Sequence, residues 1–441
     1  MLRNPPDFRI PRLGEPRIAS PLHVPDPSTF VDEGARTFVE PRLETVRGTL
    51  AAGGEPPSFE VAGPRARIFF EPRATRAAIA TCGGISPGLN DVTRSLALEL
   101  AQRYGVAQVF GVRHGYLGLA APGVLEPLTP ESVALIHQRG GTVLGTCRGT
   151  PPVAEIVDTL LAHGIDLFFP VGGDGTLRGA LEIADEIARR QLPIAVVGLP
   201  KTIDNDIPWV RRSFGFQTAV NLAAEAVRGA YVEATAVRRG VGLVKLMGRH
   251  TGYLAANATL GSGLVDFCLV AESPFGLEGE SGLLALLGRK LAVQGHAVLV
   301  VAEGAGQHYF RGLDLGVDAS GNRKLGDIGV LLKKRIDEHF TRLGQPVAIK
   351  YLDPSYLVRS APAETSDALH AARLAQNAVH AAMSGRTAML VGYWHGQMTH
   401  VPLAALRGEK RAVNPKGELW WNVLEATGQP DPIGDPHAEG A

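Results

Sequence analysis

"VGGDGTLRGA", Val171–Ala180, joins the apolar end of a predicted strand to an alanine-rich predicted helix, with Gly172, Gly173, Asp174 and Gly175 at the junction. Glycines at such a junction let the backbone bend sharply and let a ligand approach it closely. The first helical turn that follows has unpaired N–H groups, which favour an anion such as phosphate. Asp174 would repel a phosphate unless a cation stood between them, and a magnesium nucleotide or a metal-bridged diphosphate supplies one. A tight turn capped by Asp174 is the plain structural alternative.

Outward from this stretch the chain alternates. Upstream, "RAAIATCGGISPGLNDVTRSLALELAQRYG" reads as a strand over 77–81, a glycine-rich loop and a helix over about 90–104. Between Pro152 and Gly164, Val153, Ile156, Val157, Leu160 and Leu161 mark one buried helix face. The strand "DLFFPV", the loop "GGDGT", a helix to about Arg190 and the strand "IAVVGL" lead into "PKTIDND". Near-continuous apolar strands between amphipathic helices imply a parallel sheet covered on both faces, with ligands beyond the strands' carboxyl ends. A second alternating set follows: a helix over about 218–231, "GVGLVKL", "FCLVAES", a helix over about 279–293, "HAVLVV" and a helix over about 328–343. A long helix over about 366–384 and a hairpin within "TAMLVGYWHGQMTHVPL" come last.

The expected fold is therefore α/β, with two Rossmann-like doubly wound domains, mostly parallel sheets and a cleft between them. Residues 74–214 form a nucleotide-binding domain, completed by part of 358–410; residues 215–357 bind the second substrate and 411–441 are an extension. Residues 1–73, rich in proline and without sustained periodicity, read as an extended arm or a disordered leader.

Across 441 residues, Lys plus Arg and Asp plus Glu both total 44, so no global field favours nucleic acid or an anionic membrane. Cys82, Cys147 and Cys268 have neither disulfide-framework nor zinc spacing, which suits a reducing cytoplasm. The segment "MLRNPPDFRIPRLGEP" has no signal-peptide core, no run has membrane-spanning length, and "HAEGA" is no organelle address.

In "PKTIDND", Asp204 and Asp206 flank Asn205 at the end of an apolar strand. A solvated turn accounts for them in one way; phosphoryl transfer accounts for them in another. That reaction needs a metal on the phosphates, positive groups around the migrating group and a base at the acceptor hydroxyl. Asp174 could hold magnesium, Asp204 or Asp206 could take the proton, and Lys201 and nearby arginines could neutralise charge.

In order and spacing, "CGGISPGLN", "GGDGT", "PKTIDND", "KLMGRHTGY", "VAEGAG" and "YLDPSYLVR" resemble the 6-phosphofructokinases over roughly residues 75–405. The long amino-terminal segment and "DPSY" are similar to the ATP-dependent plant and trypanosomatid branch. The resemblance implies transfer of a phosphoryl group to the 1-hydroxyl of fructose 6-phosphate in a homodimer or homotetramer. By resemblance Asp204 is the base, beside Thr202, Lys201 and Asp206. Asp174 is the magnesium residue, and Gly84, Gly173, Asp174, Gly175 and Thr176 with Arg148 hold the nucleotide phosphates. Met247, Gly248, Arg249, Glu303, Tyr356 and Arg359 hold the sugar phosphate.

Two positions depart from the better-known bacterial pattern. Gly240 stands where those enzymes have an arginine that reaches into a neighbouring subunit, and Arg238 and Arg239 are not aligned with it. Lys350 replaces another sugar-phosphate arginine, keeping charge but losing the bidentate fork. The donor reads in two directions. Gly175 leaves the space that ATP needs, whereas a lysine at 201 resembles pyrophosphate users; the plant and trypanosomatid branch combines the two and uses ATP. A non-catalytic nucleotide-binding regulator would need neither Asp204 nor the sugar pocket. Lipid and NAD kinases share "GGDGT" without "TIDND" and "MGR", and no Gly-x-Gly-x-x-Gly fingerprint supports a dehydrogenase.

Overall fold

The computed structural model describes residues 6–120, 123–317, 323–408 and 410–435; the readings of "MLRNP" and "HAEGA" lie outside the described residues. The chain divides into two compact units. One comprises Met1–Thr202, Ile207–Gly215 and Ser360–Glu409, the other Ile203–Asp206, Phe216–Arg359 and Lys410–Ala441.

The first unit opens with β1 (Arg36–Phe38), α1 (Leu43–Ala51) and β2 (Ser58–Val61). It continues through β3 (Arg76–Thr81), α2 (Leu89–Leu98), β4 (Gln108–Val112), β5 (Leu125–Pro127), α3 (Val153–Ala162), β6 (Leu167–Gly172), α4 (Asp174–Arg189) and β7 (Ala195–Pro200). The second unit carries α5 (Phe216–Thr235), β8 (Gly240–Leu246), α6 (Tyr253–Ser262), β9 (Phe267–Leu269), α7 (Leu283–Gln294), β10 (His296–Ala302), α8 (Ile328–Arg342) and β11 (Ala348–Leu352). The first unit is completed by α9 (Thr365–Met383), β12 (Met389–Trp394) and β13 (Gln397–Pro402), and the second by α10 (Glu418–Thr427).

The first unit holds a nine-stranded sheet in the order β1-β2-β13-β12-β7-β6-β3-β4-β5. Its centre, from β12 to β4, is parallel. Ala77 and Ile79 of β3 join one core cluster with Val92, Leu96 and Leu374, while Ala78 and Ala80 join another with Ile156, Leu160 and Ile183. This period-2 alternation between two helical layers is the doubly covered sheet expected from the apolar strands. The second sheet, β9-β10-β8-β11, is four-stranded and wholly parallel. Val244 and Val300 face α5 and α6 side chains, and Leu243 and Val301 face those of α7 and α8.

The amino-terminal segment, expected as an extended arm or a disordered leader, docks on the first unit and carries strands of its own. At the edge of the large sheet β2 pairs antiparallel with β13, and β1 pairs antiparallel with β2. A buried polar network fixes them. Glu60 of β2 accepts hydrogen bonds from Arg386 and, at 3.3 Å, from Nδ1 of His400, and it pairs with Arg65 at 3.4 Å. Arg386 also reaches Glu33 at 2.7 Å. Periodicity cannot show this, because the segment is held by charge pairing to residues more than 300 positions away.

Element ends shift for local reasons. α4 begins at Asp174, inside the stretch read as a loop, since the extended Gly173 serves as its N-cap. The helix read over 90–104 begins at Leu89 and finishes as a π-helical turn over Glu99–Tyr104. β9 covers only three residues of "FCLVAES". α5 runs four residues past Tyr231, to Thr235.

Candidate active site

The three motif loops leave β3, β6 and β7, strands of the first unit that are adjacent in the sheet and parallel, so all three leave from the same edge. Backbone bonds lace them together. The N–H of Cys82 donates to Val171 (2.9 Å), that of Gly83 to Cys147 (2.8 Å), and that of Lys201 to Gly172 (3.0 Å). Lys201 is buried, and its ammonium donates to the Gly84 carbonyl at 2.7 Å. Arg148, exposed, follows the Cys147 carbonyl that receives Gly83.

α4 places Asp174 at its first position, where its carboxylate lies 3.1 Å from Arg178. The Thr176 carbonyl is held by the Tyr116 hydroxyl at 2.8 Å, a contact that no motif announced. A side chain at Gly175 would meet nothing within 4 Å, and the residue is not in the left-handed region. The fold therefore does not itself demand glycine there. At Gly172, by contrast, a Cβ would lie 2.2 Å from Oγ1 of Thr176.

The stretch 203–206 belongs to the second unit, with Asn205 in the left-handed conformation at φ 53°. Asp206 is almost fully buried and pairs with Lys410 at 3.0 Å, while the Arg411 N–H donates to its carbonyl. The Arg411 guanidinium reaches the Asn205 carbonyl at 3.3 Å. These two cations were missed from sequence, since they lie far past the recognisable motifs. In the first unit, the Ser213 hydroxyl donates to the Thr202 carbonyl at 2.7 Å.

At the carboxyl end of β8, Met247, Gly248 and Arg249 interlock with Glu303 and Gly304 after β10. The Glu303 N–H donates to Leu246 (2.8 Å) and the Gly304 N–H to Gly248 (3.1 Å). Gly248 has φ 133°, and a Cβ there would meet the Thr251 carbonyl at 2.5 Å, so no other residue fits the turn. Burial pushes the Glu303 carboxyl upward, and the Arg249 guanidinium draws it back. Arg249 also donates to the Arg323 carbonyl at 2.8 Å.

Arg359 stacks on the exposed Tyr356 ring, 5.3 Å from its centroid, and its buried Nε has no hydrogen-bond partner among the described residues. An unpaired guanidinium N–H beside an exposed aromatic suits a phosphate ligand. Lys350 stands apart. It pairs with Glu233 at 3.1 Å and lies opposite Gly242, four residues short of the end of β8, or about 13 Å along the strand. Gly240 cannot carry any side chain in this backbone, because a Cβ would lie 2.0 Å from the Ala234 carbonyl.

Residues 76–382 match the family described as Phosphofructokinase. The chain belongs to the phosphofructokinase family. It is 45% identical over 438 residues to the ATP-dependent 6-phosphofructokinase of Borreliella burgdorferi, covering 96% of this chain and 97% of that one. It is 43% identical over 429 residues to the ATP-dependent 6-phosphofructokinase of Trypanosoma cruzi, covering 96% and 87%. Arabidopsis thaliana ATP-dependent 6-phosphofructokinase 7 is 45% identical over 378 residues, covering 85% of this chain and 78% of that one. The fold matches the crystal structure of the pyrophosphate-dependent phosphofructokinase of Marinobacter aquaeolei with a TM-score of 0.67, at 20% identity, over 82% and 92% of the chains. This family membership accounts for the six ordered motifs and for the α/β architecture of both units.

Proposed function

We propose that the chain transfers the γ-phosphoryl group of magnesium ATP to the 1-hydroxyl of fructose 6-phosphate, giving fructose 1,6-bisphosphate and ADP. The observation that supports this most is the set of phosphate-suited loops at the shared edge of β3, β6 and β7, with open space at Gly175. Loops of the first unit, namely Gly84, Arg148 and Gly173–Thr176, bind the donor phosphates, aided by the first N–H groups of the 16-residue α4. Asp174 suits magnesium that arrives with a nucleotide: Mg²⁺ takes one or two carboxylates plus substrate oxygens, and no cluster of three or more ligating side chains occurs among the described residues. Asp174 would hold that ion, whose charge screens the phosphates.

Met247–Arg249, Glu303, Tyr356 and Arg359 hold the sugar phosphate. Asp204 takes the hydroxyl proton as the oxygen attacks, while Arg249 and Lys201 stabilise charge on the migrating group. Thr202 and Asp206 fix the loop, and Asp206 is itself anchored by Lys410. Lys350, paired with Glu233, stands away from this set within its own chain. The enzyme is a cytoplasmic homo-oligomer in this reading, checked by light scattering in solution; no helix among the described residues is long and apolar enough to cross a membrane.

Pyrophosphate as donor is the second reading, favoured by the Lys201 ammonium beside the Gly83–Gly84 backbone. The experiment measures fructose 1,6-bisphosphate formation with matched ATP and pyrophosphate. Turnover with ATP alone supports the first reading. Turnover with pyrophosphate alone replaces the donor, and turnover with neither overturns the acceptor or the catalytic role.

A further inference from the structure

Two of the three cysteines, 65 positions apart in sequence, meet beneath the proposed nucleotide loops. Cys82 immediately precedes Gly83 and Gly84, and Cys147 immediately precedes Arg148. The bond from the Gly83 N–H to the Cys147 carbonyl, 2.8 Å, keeps their α-carbons within about 7.5 Å of each other. Both sulfurs converge on one point: a Cβ built on Gly115 would lie 2.9 Å from Sγ of Cys82 and 3.2 Å from Sγ of Cys147. Only the glycine at 115, with φ 59°, leaves that space to the two sulfurs. Both cysteines are buried, and no disulfide joins them. Disulfide formation requires α-carbons about 4.4–6.8 Å apart, so a small loop adjustment suffices.

We propose that Cys82 and Cys147 form a reversible oxidation site, in which a hydroperoxide oxidises Cys147 and Cys82 then closes a disulfide that withdraws the nucleotide loops from their binding arrangement. The two thiols are unequal in the way such chemistry needs. Interaction with the Cys82 side chain, helped by backbone N–H groups of Leu117 and Tyr116, outweighs burial and brings Cys147 to about 6. The same contact and burial push the Cys82 thiol well up. Cys147 is thus the readier of the two to act as thiolate, and Cys82 the partner that keeps its proton.

The Cys147 thiolate attacks the peroxide, the O–O bond breaks, and the departing alkoxide or hydroxide takes a proton to leave as alcohol or water. Cys147 is then a sulfenic acid. The Cys82 sulfur attacks it, the S–O bond breaks, water leaves with the Cys82 proton, and the S–S bond forms. Two electrons pass from the thiol pair to the peroxide, and a dithiol reductant returns them. The bond draws together sulfurs that flank Gly83 and Arg148, and so strains the backbone bond from Gly83 to Cys147.

The effect on activity rests on the proposed function, whereas formation of the bond does not. The test treats the full chain with hydrogen peroxide, blocks remaining thiols, digests it without reduction and weighs the peptides. The expected result is one linked peptide pair carrying Cys82 and Cys147, lighter by two hydrogens than the reduced pair. ATP-dependent turnover should fall at least fivefold and return with dithiothreitol. Cys147→Ser and Cys82→Ala variants should keep basal turnover and lose both the linked pair and the peroxide sensitivity. Absence of the linked pair would overturn the proposal, as would equal peroxide inactivation of the Cys147→Ser variant. Should the untreated chain prove inactive with every donor, the peptide masses still decide the disulfide, and nucleotide binding before and after peroxide decides its consequence.

Discussion

Single positions separate what the fold requires from what the chemistry requires. Gly175 has room for a side chain and lies in the first turn of α4, where an acid is favourable. Gly175→Asp should therefore leave the melting temperature unchanged within about 2 °C while ATP-dependent kcat/KM falls at least tenfold; a matching loss of thermal stability would assign the glycine to folding. Gly240 behaves in the opposite way. Gly240→Arg drives a Cβ into the Ala234 carbonyl and should destabilise by about 3 kcal/mol or more, read by denaturant unfolding. Asp204→Ser should lower kcat by about 10²–10⁴-fold with little change in the KM for the sugar phosphate. Near-normal turnover in that variant would remove Asp204 as the base. The motif residues were legible in sequence because their chemistry depends on local spacing. Lys410, Arg411 and Tyr116, which hold the same loops, were not, because each reaches its partner through the tertiary fold.

At the scale of elements, the sequence showed the parallel strands β3, β6, β7, β8, β9 and β10 through their apolar runs and β12 within the hairpin, with ends displaced by a residue or more in several cases; β4 and β11 were not read as strands. It could not show β1 and β2, whose short strands carry no clear period and are secured by Glu60 with Arg386, Arg65 and His400. Burial tends to raise the Glu60 carboxyl, but hydrogen bonding from His400 and the charge of Arg386 outweigh it and hold Glu60 at about 2. Three buried histidines on α9 and β13 set the acid limit of this unit. Burial lowers His370 to about 4, His380 to about 3 and His400 to about 4. Between pH 6.5 and about 4 the unfolded chain binds these protons and the folded chain does not, so stability rises with pH and is fully present above about 6.5. At pH 5 each histidine costs about 2 kcal/mol. Thermal unfolding should show a steep loss from pH 7 to pH 5, and a His380→Gln variant that folds should show a shallower one. An unchanged slope would mean that His380 titrates alike in both states.

For the molecule as a whole, the division into two units does not follow the chain. Residues 203–206 belong with the second unit although their neighbours on both sides belong with the first, and the stretch from Lys410 returns to the second unit after 360–409 has completed the first. The carboxyl-terminal stretch is part of that unit's core: Trp420 of α10 is buried in the cluster with Val244 and Leu254. Deleting residues 410–441 removes this tryptophan and the cation on Asp206 together. The truncated chain should unfold at least 8 °C lower or be insoluble, and any soluble fraction should show a raised KM for fructose 6-phosphate; unchanged melting would contradict the place of α10 in the core. The sheet order also bears on synthesis. β2 has β1 and β13 as its neighbours, and β13 ends at Pro402 of a 441-residue chain. On the ribosome, the β1–β2 ribbon has no edge to join until β13 has emerged, more than 300 residues later, so these strands dock late and stay open to chaperones and proteases until then.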